Sequence, residues 1–338
     1  MAISETGLWA DVRELPGALR ATLDAATGVA EAAELLRGPD VQRIVATGNG
    51  AAYYVAHALW LASLEGDAAG PPIVAVPCGV AVRERFAWQR GDAVLAVSSS
   101  GEFRDVVQIA RASGERPCVA ITANAESALA GAADATVLQH VEHQRAVTHT
   151  QALAGAYGAG LALWAGVTGD SGLRALLAGA PEAASRAVAE AEVWGAEQER
   201  TLAPALPPAA IVAGGGPAWA AALELALMLK EISRIPAEGV ETREGATSAM
   251  FGLAPGHLMV SLDAAGEAHG DEAVRLCAAT GATTLRFPAA AVADPRLAMI
   301  TTLPAAAALS AGLAIAAGHD VDTPTWTDAY YETARSAG

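Results

Sequence analysis

Two glutamates on an otherwise apolar stretch are the residues whose type and spacing most directly suggest chemistry. Glu224 and Glu231, in Glu-Leu-Ala-Leu-Met-Leu-Lys-Glu, are two helical turns apart, so a helix places both on one face. A carboxyl held among apolar side chains has a raised pKa, which suits it to taking and returning a proton near neutral pH. Lys230 adjoins the second glutamate and is the only lysine in the chain. An amine can lose its proton when buried and a guanidinium cannot, so a catalytic amine is one reading of its retention. Chance is the other.

A second group of residues suits an anion. Ser98-Ser99-Ser100-Gly101 follows a short apolar run and opens a helical stretch. Hydroxyls, a glycine that lets the backbone approach closely, and the oriented N–H groups of a helix start make a cradle for negative charge. The same pattern is also ordinary helix capping, and both readings stay open. Gly48-Asn49-Gly50 stands in the equivalent place after an earlier apolar run, ahead of a helix carrying Tyr53, His57 and Trp60. These aromatics read as core or, alternatively, as part of a ligand site. The polar stretch Glu142–Gln151 reads as a site-lining loop, with Val147 and His149 as candidate ligand contacts. His140, His143 and His149 have neither cysteines nor paired carboxylates at ligand spacing, so no metal is expected. No cofactor is expected either.

Alternating strands and helices must position these groups. The strand candidates Arg43–Ala46, Ile73–Val76, Ala93–Val97, Cys118–Ile121 and Thr136–Leu138 are short apolar runs bounded by Gly, Pro, Asp or Ser. Strands alternating with helices imply a parallel sheet covered on both faces, and in such a sheet ligands collect beyond the carboxyl ends of the strands. The pattern then restarts. Ile211-Val212-Ala213-Gly214-Gly215-Gly216 echoes Ile44-Val45-Ala46-Thr47-Gly48-Asn49, and Gly256–Ser261 echoes Gly91–Ala96. Two copies of one α/β unit follow. In the second copy Ser261-Leu262-Asp263-Ala264-Ala265-Gly266 replaces the serine loop and sets a carboxylate where an anion would sit. Thr284–Phe287 and Ala298–Thr302 are further strand candidates, Pro304–Gly318 reads as a buried helix, and a polar tail closes the chain. The expected organisation is N-terminal helices over 1–36, a first αβα domain over 37–168, connecting helices over 169–204, a second αβα domain over 205–325 and a tail over 326–338.

Composition narrows the function classes. A formal charge of −16 opposes a nucleic-acid surface, which needs a basic footprint, and means that any phosphate site must be built locally from backbone N–H groups. The apolar stretch 304–318 is shorter than the roughly 20 residues of a membrane crossing, and no basic n-region followed by an apolar core begins the chain. Cys78, Cys118 and Cys277 are widely spaced, as reduced core residues are. A cytoplasmic protein with a small-molecule ligand is expected, acting on neither membranes nor nucleic acid.

These features together resemble the sugar isomerase (SIS) domain family in its tandem form, and within it the isomerase half of glutamine–fructose-6-phosphate aminotransferase, the fructosamine-phosphate deglycases and the amino-sugar-phosphate isomerase/deaminases. The likeness runs from about Arg37 to Thr325. It rests on Ala222-Leu223-Glu224 through Lys230-Glu231-Ile232-Ser233 with Ala237-Glu238, on the Ser98–Asp105 loop, and on Asp320-Val321-Asp322-Thr323-Pro324. The resemblance implies two αβα units, a homodimer, and Glu231 as the base that moves a proton between C1 and C2 of an open-chain sugar phosphate. It also implies a phosphate loop of the form Ser-x-Ser-Gly-x-Thr/Ser at Ser98, Ser100 and Gly101.

The departures are specific. Phe103 stands where the family has a hydroxyl, and Gly48-Asn49-Gly50 has Asn and Gly where Thr and Ser are usual. Met228 replaces the lysine three residues before the base, while Lys230 matches the lysine adjacent to it. The ring-opening histidine aligns near Ala246-Thr247, and Ala329 lies near the place of the C-terminal lysine. His149 and His319 have the right chemistry to replace the missing acid. With no glutaminase part in the sequence, ammonia transfer from glutamine is not expected. The leading reading is therefore an isomerase or deglycase with Glu231 as base. The alternatives are a non-catalytic sugar-phosphate binder, or an enzyme whose substrate is less phosphorylated.

Overall fold

The short runs of apolar and β-branched residues form the strands, and each sheet is parallel throughout. The computed structural model describes residues 2–66, 69–324 and 327–335. In chain order the elements are α1 (Gly7–Ala25), α2 (Val29–Leu36), β1 (Arg43–Thr47), α3 (Ala51–Ser63), β2 (Ile73–Ala75), α4 (Cys78–Ala81), β3 (Asp92–Val97), α5 (Arg104–Arg111), β4 (Cys118–Thr122), β5 (Ala135–Leu138), α6 (Gln151–Thr168), α7 (Ser171–Ala178) and α8 (Ala180–Leu202). There follow β6 (Ala210–Gly214), α9 (Ala218–Glu231), β7 (Ala237–Glu241), α10 (Thr242–Thr247), β8 (Leu258–Ser261), α11 (Ala268–Ala278), β9 (Thr283–Arg286), α12 (Ala298–Thr301), α13 (Leu303–Ala317) and α14 (Thr327–Arg335).

The described residues divide into two compact units. One comprises Gly17–Glu142, Gln151–Pro181 and the C-terminal helix; the other comprises Met1–Pro16, His143–Thr150 and Glu182–Thr325. The first holds the sheet β2-β1-β3-β4-β5 and the second the sheet β7-β6-β8-β9. In each, the first strand lies between the two that follow it. Ile44 pairs with Ile73 on one side and Ala93 on the other, as Ala210 pairs with Ala237 and Leu258. Strand order therefore reverses between β1 and β3, and again between β6 and β8. The loops beyond these strands flank the crevice where open α/β sheets bind ligands. β3, β4, β6 and β8 are buried throughout, as central parallel strands covered on both faces must be.

The repeat seen in the sequence is thus a repeat of topology, with three differences from expectation. Ala298–Thr302, expected as a strand, is helical. Asp294 caps the turn by accepting from Arg296 N at 2.9 Å, Pro295 sits at its start, and Thr301 and Thr302 bond back to the carbonyls of Leu297 and Ala298. The Asp294 cap and Pro295 are helix-start devices. Second, Ala-Glu-Gly-Val-Glu forms the edge strand β7, for which the sequence carries no apolar run. Third, the polar tail contains the helix α14; Trp326 and the expected boundary at Thr325 lie outside the described residues. The helix expected over 304–318 is α13, buried along most of its length. Among the described residues no single helix is long and apolar enough to cross a membrane, and the bent pair Pro295–Thr301 with Leu303–Ala317 belongs to the core.

β7 is what the carboxylate-bearing helix rests on. At Gly239 an added Cβ would meet Ala222 O and Leu223 Cα of α9 at 2.6 Å, contacts that only hydrogen in place of a side chain permits. Gly239→Ala should push α9 from its strand and lower stability by about 1–3 kcal/mol, the usual cost of overpacking. Urea denaturation of the two proteins measures it.

Candidate active site

Helix α9 is built from Ala, Leu and Met, strong helix formers, and its buried face includes Ala222, Leu225, Met228 and Leu229. It starts from the Gly214-Gly215-Gly216-Pro217 turn beyond β6 and ends at Glu231. The chain then reverses through Arg234, a non-glycine residue at φ 57°, a conformation costing roughly 1 kcal/mol. The reversal is held by Ile235 N donating to Leu229 O at 3.0 Å and by Ser233 Oγ donating to Ser310 O of α13 at 2.8 Å. Both candidate carboxyls are therefore on a rigid, packed element, with the second at its last residue.

Their environments differ. Glu224 is 3% exposed, and its Oε2 is buried with no hydrogen-bond partner. Burial, reinforced by the charge of Glu231, pushes its pKa up to about 8, so it is neutral at pH 7. Glu231 is exposed as a residue, yet the protein around its carboxyl makes burial the leading influence there too, raising its pKa; Thr148 and the charge of Lys230 pull the other way. Glu224, which holds its proton at pH 7, adds no repulsion to a charge at Glu231. One carboxyl thus holds a proton and its neighbour can lose one, a separation that distinguishes acid from base. The catalytic-amine reading of Lys230 requires burial, and Lys230 is exposed.

Thr148 supplies the remaining contact, its Oγ1 lying 3.5 Å from Glu231 Oε2. It belongs to the irregular segment His143–Thr150, within the same unit. Val147 N donates to Asp322 O at 2.9 Å, and His149 is exposed. No sequence signal singles out Thr148.

The serine loop belongs to the five-stranded unit, beyond β3. Gly101 is at φ 69°, and an added Cβ would meet Ser127 Oγ, so only glycine closes this turn. Ser98 is buried and its Oγ accepts from Gly101 N at 3.2 Å; Ser99 Oγ accepts from Gln139 Nε2 at 3.1 Å; Ser100 Oγ accepts from Glu102 N at 3.3 Å. The hydroxyls therefore shape the loop through local bonds, and none of them caps α5. The start of α5 carries no side-chain cap because Phe103 occupies the cap position. Gly50, at φ 55°, likewise leaves the start of α3 without one. Gly48 is fixed by the backbone of α3, where a Cβ would meet Ala52 C at 2.6 Å, and Asn49 and Gly50 are exposed. Two uncapped helix starts face the crevice between β1 and β3, the arrangement that favours an anion.

The equivalent crevice of the four-stranded unit is closed from within. Asp263 accepts from Gly215 N at 2.8 Å and from Thr242 Oγ1 at 2.6 Å. Glu241 caps α10 and Glu267 caps α11. The chain's own carboxylates take the donors that an anion would use. Burial raises the pKa of Asp263 and the charges of Glu267 and Glu241 add to it, while the Thr242 and Gly215 bonds oppose.

The aromatics contact one another and the core. Tyr53, His57 and Trp60 stack along α3, and burial pushes the buried His57 down to about 4. Phe103 packs on the core formed by Val106, Val107 and Leu129 and meets Tyr331 of α14 edge-on, with ring centroids 6.4 Å apart. Thr247, near which the resemblance aligns a histidine, bonds back to the carbonyls of Arg243 and Glu244. Ala329 is exposed on α14. Among the described residues no three His, Cys, Asp or Glu side chains are grouped to hold a metal.

The two αβα units have the SIS-type fold, and solved structures share it. The fold matches a protein assigned as a phosphosugar isomerase from Silicibacter pomeroyi DSS-3, with 27% identity over 94% of this chain and 100% of the other and a TM-score of 0.77. It also matches the C-terminal domain of glucosamine-fructose-6-phosphate aminotransferase from Francisella tularensis, with 18% identity, 94% and 98% of the chains covered and a TM-score of 0.78. The tagatose-6-phosphate ketose/aldose isomerase of Escherichia coli is similar at 19% identity, over 97% and 98% of the chains, with a TM-score of 0.74. No family model and no curated protein sequence matches the chain.

Glu224 gives a pH-dependent test. A folded-state pKa above the ordinary 4.5 favours the folded state most below that value, and this contribution is lost as pH rises through about 8. Glu224→Gln keeps the shape without the proton. Relative to wild type it should gain stability between pH 5 and pH 9, by up to a few kcal/mol, in denaturation curves taken across that range.

Proposed function

We propose that this chain is a phosphosugar isomerase or deglycase. Glu231 abstracts and returns the proton that moves between C1 and C2 of an open-chain sugar or sugar-amine phosphate. What supports this reading above all is the pair on α9: a neutral, buried Glu224 two turns before a Glu231 whose pKa burial also raises. A base near its substrate's working pH transfers protons most effectively, and a neutral carboxyl can hold or lend a proton to a carbonyl or hydroxyl oxygen. The Ser98–Gly101 loop with Asn49 is assigned as an anion site of the five-stranded unit, where the helix starts lack side-chain caps. Val147 and His149 are assigned to the sugar. The solved relatives described as phosphosugar isomerases favour the same class.

Proton transfer at carbon can be followed without knowing the product. In deuterated water, incubation with a panel of ketose, aldose and fructosamine phosphates should incorporate deuterium next to the carbonyl of the true substrate, read by proton NMR. Glu231→Gln should slow that exchange by about 10²–10⁴-fold, the usual worth of a positioned base, while still binding the ligand. Unchanged exchange in Glu231→Gln would refute the assignment.

One observation favours the second reading, a sugar-phosphate binder that does no chemistry. Thr247 cannot open a ring, and its hydroxyl is engaged with helix carbonyls. Ligand-induced thermal stabilisation with no exchange in any member of the panel would decide for the binder.

A further inference from the structure

The segment His143–Thr150 is irregular, yet it is held more tightly than most loops. Asp11 of α1 is fully buried, and its carboxylate accepts from Gln144 Nε2 at 2.8 Å, from Arg145 N at 2.9 Å, from Ala146 N at 2.9 Å and from Arg145 Nη1 at 2.8 Å. Arg145 also pairs with Glu14, one turn further along α1, at 2.7 Å. Asp322 fixes the same helix and the same segment: its carboxylate accepts from Gly7 N and Leu8 N at 2.8 Å, and its carbonyl accepts from Val147 N. A buried carboxylate accepting two backbone N–H groups and two side-chain donors holds three successive residues in register. The next residues are Val147, Thr148 and His149.

Thr148 Oγ1 lies 3.5 Å from Glu231 Oε2, beyond a well-formed O–H···O bond. A shift of a few tenths of an ångström in the segment therefore makes or breaks this contact. We propose that Asp11 is a positioning residue for Glu231, acting through the segment it clamps so that the Thr148 hydroxyl stays against the reactive carboxylate. Its role rests on Glu231 being the reactive group, but it concerns the ligand-free protein and does not depend on the identity of the substrate. On its own helix Glu231 has Lys230 beside it and Glu224 two turns before it, and Thr148 and His149 come from the segment; Asp11 makes no bond to Glu231.

Direction separates positioning from simple charge. Removing a negative charge at Asp11, and freeing Arg145 from it, can only favour the ionised form of Glu231 and lower its titration midpoint. Losing the Thr148 hydroxyl removes a donor to the carboxylate and raises that midpoint. The test is a pH titration of the Glu231 carboxyl by NMR in protein labelled with ¹³C at glutamate Cδ, the signal assigned by its loss in Glu231→Gln. Thr148→Val should shift the midpoint upward, Asp11→Asn should shift it upward as well, and the double variant should go no further than Thr148→Val alone. An unchanged or lowered midpoint in a folded Asp11→Asn protein overturns the proposal, as does an additive double variant. Should Asp11→Asn fail to fold, Gln144→Ala, which removes one side-chain donor to Asp11 without changing any charge, carries the test. An upward shift there supports the proposal, and an unchanged midpoint overturns it. Absence of deuterium exchange with every sugar phosphate would refute the proposed function while leaving this titration readable.

Discussion

The constraint on which the rest depends is that two carboxyls share one face of a buried helix. Two ionised carboxylates two turns apart in such surroundings would cost several kcal/mol in desolvation and repulsion. The protein resolves this by holding a proton on the more deeply buried one, Glu224, and letting Glu231 approach its own ionisation at the helix end, where Thr148 and Lys230 favour the charge. α9 must then be rigid. Gly239 lets it settle on β7, and the Ser233–Ser310 bond ties its end to α13. The left-handed Arg234 stops the helix so that Glu231 is its last residue rather than one buried in mid-helix.

The two units show how one topology gives two crevices of opposite character. Beyond β3 the helix start is uncapped because the cap position holds Phe103, whose ring belongs to the core. Beyond β8 the donors are taken by Asp263, Glu241 and Glu267. In a chain of net charge −16, a phosphate is repelled at long range, and only a local set of oriented N–H groups can hold it. The sequence difference between a serine loop and Leu-Asp-Ala-Ala is thus a difference in whether the chain's own carboxylates take the donors at the helix starts.

How much of this could be read from residues follows from whether the signal was local. The β1, β3, β4, β6 and β8 strands were legible because central parallel strands are continuous apolar runs. β7 was not, because an edge strand need not be apolar, and Ala-Glu-Gly-Val-Glu looks like loop. The internal repeat nevertheless implied it, since a counterpart of Ile73–Ala75 had to lie between Ile211 and Leu258. Ala298–Thr302 misled through its β-branched residues, and Asp-Pro just before it was the helix-start signal that outweighed them. Glu224 and Glu231 were legible from type and spacing, as was the Asp263 carboxylate in the second crevice. Thr148 and Asp11 were not, because their partners lie 83 and 133 to 135 residues away in the chain and no periodicity records such a contact. Lys230 drew notice by rarity and by its place beside Glu231, and it is exposed rather than buried.

The chemistry of α9 turns on the protonation state of Glu224 at neutral pH. Infrared difference spectroscopy of wild type against Glu224→Gln reads it, because a protonated carboxylic acid and a carboxylate absorb in separate regions. A protonated Glu224 gives an acid band at pH 7 that is absent from Glu224→Gln and fades in wild type only as pH passes about 8. A difference spectrum at pH 7 containing only carboxylate bands would contradict it.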